Sequence, residues 1–216
     1  MSVQEYAESL LERIKARDEV VKAWAYLDEK RVIQEARLLD ETPKKNRGPL
    51  HGLPIAVKDV IYTKDTPTQF NSPLYDGHFP KTDAASVRIL RHAGALIFGK
   101  TTTTEFAAIH VGPKTHNPHD VADFQILMAL GTQTGGSLIR PASFNGIYGF
   151  KPTWNSVSRE GQKIYALMYD TLGWYGRCVD DLVLLADVFD LQDDKDEGHA
   201  FKGIEGAHFA ICKTSV

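Results

Sequence analysis

The stretch that decides the fold runs Gly131-Thr132-Gln133-Thr134-Gly135-Gly136-Ser137-Leu138-Ile139-Arg140-Pro141-Ala142-Ser143, then Phe144-Asn145-Gly146-Ile147-Tyr148-Gly149-Phe150-Lys151-Pro152-Thr153. Three glycines surround one serine. Glycine permits positive φ and close approach of backbone to a ligand. Successive N–H groups in such a turn converge into a small anion-binding nest. A serine at the end of that nest reads as a nucleophile beside its own oxyanion donors. Taken alone, the same letters also describe a tight turn with an idle serine.

A second stretch bears on that choice. Gly48-Pro49-Leu50-His51-Gly52-Leu53-Pro54-Ile55-Ala56-Val57-Lys58-Asp59 places a lysine at the end of a short apolar run. Together with Gly99-Lys100-Thr101, Glu105-Phe106, Asn117-Pro118 and Gly149-Phe150-Lys151-Pro152-Thr153, the two stretches resemble the amidase signature family of serine amidohydrolases. The resemblance covers most of the chain, from about His51 to Phe189. It implies an α/β fold, a mixed β-sheet flanked by helices, here incomplete at its C-terminal side. It implies Ser137 as nucleophile, the backbone N–H groups of Thr134, Gly135 and Gly136 as oxyanion donors, and Lys58 as base. The substrate class implied is a small carboxylic amide, with no cofactor. A lysine serves as a base near neutral pH only when burial lowers its pKa from about 10.4 by roughly three units. The apolar run Leu53–Val57 is suited to supply that burial; the competing reading of Lys58 is a surface lysine paired with Asp59.

The chain departs from the family pattern in ways that bear on activity. The family carries a second serine in a Gly-Gly-Ser-Ser-Gly-Gly-Ser-like loop, and that serine relays the proton from nucleophile to lysine. Here Asn117-Pro118-His119-Asp120 runs straight into Val121-Ala122-Asp123-Phe124-Gln125. The loop is absent, and the bridging serine with it. Thr132, Thr134 or a water would replace it only by reaching both partners. Loss of a triad member usually lowers the rate by several orders of magnitude, so efficient hydrolysis is not expected. Gln133 stands where many members carry aspartate, and Arg140 lies three residues after Ser137 rather than two. The chain is also considerably shorter than family members, which predicts an uncompleted sheet open to self-association or to a partner. Three readings follow: an amidase-family hydrolase, an inactive truncated relative, or a partner-dependent amidotransferase-like module.

Composition narrows the field. The chain has 216 residues, 43% hydrophobic and 25% charged, as soluble globular proteins have. A formal charge of −3 with no basic face argues against a nucleic-acid surface. No apolar run is long enough to span a bilayer, and the polar start Met1-Ser2-Val3-Gln4-Glu5 does not read as a signal peptide. Cys178 and Cys212 lack redox or metal spacing and read as buried thiols in a reducing compartment, so the expected location is cytoplasmic. Histidines 110, 116 and 119, with Asp120 and Asp123, fit no well-attested zinc spacing, and no metal is expected.

Read in order, the chain predicts a capped helix over 3–17, a strand over Val20–Leu27 and a helix over Glu29–Leu39. A polar linker then separates an N-terminal helical region, residues 1–47, from a core of 48–216. Leu53–Val57 reads as a strand. Ala84–His92 reads as a helix with Asp83 as N-cap and Gly94 as C′, and Ala95–Phe98 as a strand. Gly94-Ala95-Leu96-Ile97-Phe98-Gly99-Lys100-Thr101 matches the phosphate-loop pattern letter for letter. That motif needs a strand before its first glycine and a small-residue loop after it. Here a helix precedes and four apolar residues follow, so the match is a decoy. Ser158-Arg159-Glu160-Gly161 reads as a turn bordering the site, Val179–Phe189 as a helix and Ala207–Cys212 as a final strand.

Overall fold

The apolar runs around Leu53–Val57, Ala95–Phe98 and Leu130 become the centre of a mixed sheet. In the computed structural model, residues 1–108, 112–117 and 128–192 are described. Their elements are α1 (Val3–Val21), β1 (Trp24–Tyr26), α2 (Glu29–Asp40), β2 (Pro54–Lys58), α3 (Ala85–His92), β3 (Leu96–Thr101), β4 (Met128–Gln133), α4 (Ile139–Phe144), β5 (Tyr148–Phe150), β6 (Thr171–Gly176) and α5 (Val179–Val188). The strand order is β1-β3-β2-β4-β6-β5. β2 runs parallel to both β3 and β4, and β1, β6 and β5 pair antiparallel outside them. The expected α/β architecture is the one observed.

Parallel strands covered on both faces read as continuous apolar runs. β2 fits that rule, since Pro54 through Val57 are all buried. On β3 the alternation of side chains divides the core. Leu96 and Phe98 face α1 and α2, where they meet Leu10, Leu11, Ile14, Val32 and Ala36. Ile97 joins the larger cluster with Ile55, Val57, Leu90, Leu130, Leu172 and Trp174. Each such side chain contributes about 1.5–3 kcal/mol when fully buried. The β2–β3 register slips between Ile55 and Ala56. There Arg31 of α2 donates to the carbonyls of Ile97 and Phe98 at 2.8 and 2.9 Å.

Local signals decide the helix ends. The Ser2–Glu5 capping box forms, and the Asp40 carboxylate adds a second cap by accepting from the Val3 and Gln4 N–H groups. α1 runs on past the expected 3–17 to Val21. It stops where Lys22 turns left-handed and Asp18 accepts from Ala23 N–H. The expected strand over Val20–Leu27 therefore shrinks to β1. Asp83 does not cap α3; Ala84 holds that position. The buried Asp83 carboxylate instead accepts from Lys64 N–H and pairs with Arg91 Nε. Gly94 does follow the end of α3 with φ +89°. Cys178 is exposed rather than buried, at the N-cap of α5. Cys212 and the strand expected at Ala207–Cys212 lie outside the described residues. Among those residues, no helix is long and apolar enough to cross a membrane.

Candidate active site

Because β2, β3 and β4 run parallel, their C-terminal ends Lys58, Thr101 and Gln133 lie along one edge of the sheet. Ligand sites of such sheets form at that edge. The turn Thr134–Leu138 leaves β4 there, beside the end of β2.

Lys58 points along this edge. Its Nζ lies 2.9 Å from Thr132 Oγ1 and 3.5 Å from the Thr132 carbonyl. Burial lowers its pKa from 10.5 to about 8, against the opposing pull of Asp170. Asp59 is not its partner. That carboxylate turns inward to Lys100 Nζ at 3.2 Å, in a pair almost wholly buried. Burial drives these two groups in opposite directions, Asp59 up and Lys100 down to about 8. Thr68 and the Pro67 carbonyl supply the remaining contacts of Lys100. The lysine of the phosphate-loop pattern is thus locked inside the core.

Ser137 is half-buried at the end of the turn. Three groups fix its surroundings. Gln133 Oε1 accepts from the N–H groups of Leu138 and Ile139 at 2.8 and 3.1 Å, closing the turn onto the start of α4. Tyr175 Oη donates to the Ser137 carbonyl at 2.9 Å. Burial pushes the Tyr175 pKa up, so this hydroxyl stays a donor. Leu138, fully buried, drops into a hollow made by glycines. Added methyl groups on Gly131 and Gly173 would come within 2.9 and 2.6 Å of its Cδ atoms.

Thr134 is half-buried and donates its hydroxyl to Asp170 Oδ1. Asp170 Oδ2 accepts from the backbone N–H groups of Tyr165 and Ala166. Among the described residues, the N–H groups of Thr134, Gly135, Gly136 and Ser137 have no hydrogen-bond partner. Gly135 borders open space, with nothing within 4 Å of where a Cβ would stand. Neither Gly135 nor Gly136 takes positive φ. The expected conformational role of these glycines is therefore absent; at Gly136 the close neighbour is the Arg140 side chain, 2.6 Å from an added Cβ.

The structure brings Lys58, Thr132, Thr134 and Asp170 into one cluster. Among the described residues no hydrogen bond joins Ser137 Oγ to Lys58 or to Thr132. Thr132 meets Lys58 and not Ser137. Ser158, Arg159 and Glu160 of the Ser158–Gly161 turn line an open cleft with Asn155, Ile164 and Leu167, about 490 Å³ in volume. Its Glu160 pairs with Arg88. His110, His119, Asp120 and Asp123 lie outside the described residues, and His116 is exposed. Sequence patterns gave no sign of Asp170 or Tyr175. Asp170 sits where a loop-rich stretch meets β6, and Tyr175 lies within β6, a strand whose glycines conceal it.

A family model described as Amidase matches residues 5–203. A glutamyl-tRNA(Gln) amidotransferase subunit from Lawsonia intracellularis is 35% identical over 233 residues, covering 98% of this chain and 48% of that protein. That alignment runs over more positions than this chain has residues, so the relative carries segments with no counterpart here. Among solved structures, an amidase family protein from Bacillus anthracis superposes with TM-score 0.81 at 28% identity, covering 91% of this chain and 45% of that one. The peptide amidase of Stenotrophomonas maltophilia gives 0.77 at 30% identity, covering 93% and 48%. The chain spans about half the length of the curated relatives it matches.

Proposed function

This chain belongs to the amidase family, and from that premise we propose that it carries a C–N hydrolase site in which Ser137 is the nucleophile and Lys58 the base. The N–H groups of Thr134, Gly135 and Gly136 form the oxyanion site, and the substrate is a small carboxylic amide. In this reading Lys58 takes up the proton that leaves Ser137 as its oxygen attacks the amide carbon. The leaving amine then receives that proton, and water completes hydrolysis of the acyl-enzyme. The observation that carries the reading is the state of Lys58: held by Thr132 and depressed to about 8, it is partly neutral near physiological pH.

The same geometry argues for a slow site. Without the bridging serine the proton path has a gap on the Ser137 side. The Thr132 hydroxyl covers the Lys58 side alone. A reactive fluorophosphonate probe tests this. We expect slow labelling that Ser137→Ala and Lys58→Met abolish. Labelling unaffected by Ser137→Ala would remove the assignment.

A second reading has support from the surface. Among the described residues β5 is the outer strand of the sheet; its Tyr148 and the preceding Phe144 and Ile147 are 49%, 76% and 40% exposed. Apolar residues along an open strand edge favour a covering chain. The relative from Lawsonia is by name one subunit of an amidotransferase. Under this reading the chain is a partner-dependent amidotransferase-like module, inactive alone. It predicts no labelling of the isolated chain, and a concentration-dependent increase in size on gel filtration.

A further inference from the structure

Asp170 lies in the loop before β6 and is 3% exposed. A carboxylate taken that far out of water needs its lone pairs satisfied. Its two oxygens do so on two different segments. Oδ1 accepts from the Thr134 hydroxyl, on the turn between β4 and α4. Oδ2 accepts from the Tyr165 and Ala166 N–H groups, within its own loop. One side chain therefore pins the Thr134–Gly136 turn to the loop that leads into β6. From the other side, Arg159 Nη1 donates to the Asp170 carbonyl at 3.1 Å, which fixes the backbone that carries the carboxylate.

Among the described residues, the charges around Lys58 are few. Asp59 on its own strand is turned to Lys100. β4 presents Thr132, which is neutral. In the loop over residues 153–170, Arg159 is engaged with the Leu167 and Asp170 carbonyls, and Lys163 with the Ile164 carbonyl. Lys58 binds Thr132 and Asp170 binds Thr134, two positions further along the chain, and among the described residues Asp170 is the acidic group that acts on the Lys58 ammonium.

We propose that Asp170 is a positioning residue of this site, which holds the oxyanion turn through the Thr134 hydroxyl and supplies the counter-charge that Lys58 faces. The proposal rests on the roles given above to Ser137 and Lys58. It gives one carboxylate two tasks. Geometrically, it fixes the backbone whose N–H groups are assigned to the oxyanion, and misplacement by about 1 Å can lower a rate 10²-fold. Electrostatically, it favours the protonated amine, so it lowers the neutral fraction of Lys58 at a given pH while stabilising the cation that forms once the proton has arrived.

The test follows the Lys58 amine directly. Chain labelled with ¹³C and ¹⁵N at lysine is titrated by NMR, with the Lys58 signal assigned by its loss in Lys58→Arg. Asp170→Asn keeps the shape and removes the charge. Its Lys58 midpoint should move to lower pH, whereas Thr134→Val should leave the midpoint in place. Both variants should label with fluorophosphonate at least about tenfold more slowly than the unaltered chain, and Thr134→Ser should recover the rate. An unmoved midpoint in Asp170→Asn overturns the proposal, because a merely structural carboxylate would not shift it in that direction. If Asp170→Asn fails to fold, Thr134→Val decides: labelling at the unaltered rate overturns the proposal. If the unaltered chain never labels while the midpoint still moves, the nucleophile assignment falls and the Asp170–Lys58 coupling stands.

Discussion

Replacing Lys58 with methionine should make the protein more stable at neutral pH. Lys58 falls from 10.5 to about 8 because burial penalises its charge. One unit of pKa corresponds to about 1.36 kcal/mol, so the folded state carries a penalty of roughly 3 kcal/mol for the protonated amine. The sign follows from proton counting. Between pH 8 and 10.5 the unfolded chain holds the proton that the folded chain has released. Stability therefore rises with pH across that window, and the penalty is present in full below it. Lys58→Met removes the charge and keeps the aliphatic stem. It also removes the hydrogen bond to Thr132, worth about 1 kcal/mol. The net gain at pH 7 is about 2 kcal/mol. Urea unfolding should show a midpoint higher by about 1 M, taking a typical slope for a small protein. The gain should shrink as pH climbs above 8 and reverse to a loss of about 1 kcal/mol, the missing hydrogen bond, once Lys58 is uncharged in both states above pH 10.5. A variant less stable than the parent at pH 7, or a gap that does not vary with pH, would refute the reasoning. The gain would come with loss of labelling at Ser137, the usual exchange between stability and a strained site.

Three further outcomes follow from the same geometry. Lys100→Met leaves the Asp59 carboxylate buried without its cation and should destabilise by about 3–5 kcal/mol; a thermal midpoint near that of the parent would contradict a structural ion pair. Gly173→Ala forces a Cβ to 2.3 Å from the Phe150 carbonyl and 2.6 Å from Leu138 Cδ1. It should destabilise by about 1–3 kcal/mol and slow labelling, and an unchanged urea midpoint would show that the hollow is not packed as described. Whatever its absolute rate, labelling at Ser137 should rise with pH through about 8, as Lys58 loses its proton. A flat profile from pH 6 to pH 9.5 would exclude Lys58 as the base.

Much of the fold is legible because its central strands are apolar throughout and its helices carry explicit stops. The run Leu53–Val57, the Ser2–Glu5 box and Gly94 each name their element through one local cause. The features that sequence patterns hide depend on partners distant along the chain. Asp83 has the letter of an N-cap, yet Arg91 and Lys64 N–H claim its carboxylate. β6 hides because Gly173 and Gly176 lower its apparent strand character. Glycine is needed at Gly173 by the close approach of Phe150 and Leu138, which no local pattern reveals. In the candidate site, Lys58 and the Ser137 turn stand out by residue type. Thr132 is one of three stand-ins for the bridging serine, and its contact with Lys58 spans 74 positions. Asp170 gives no signal, since a lone aspartate in a loop before a strand is commonplace and its meaning comes from the two segments that it joins.

The order of the strands sets where a sheet of this kind can accept a shorter connection. β3 and β4 run in the same direction but are not neighbours, since β2 lies between them. A connection from Thr101, at the C-terminal end of β3, to Met128, at the start of β4, joins parallel strands and needs about a dozen residues or more. Its length does not enter the pairing of any strand, so residues can be removed from it while every ladder keeps its alignment. Chemistry lodged on such a connection, in any sheet of this order, is separable from the scaffold, because one shortening removes the first without touching the second.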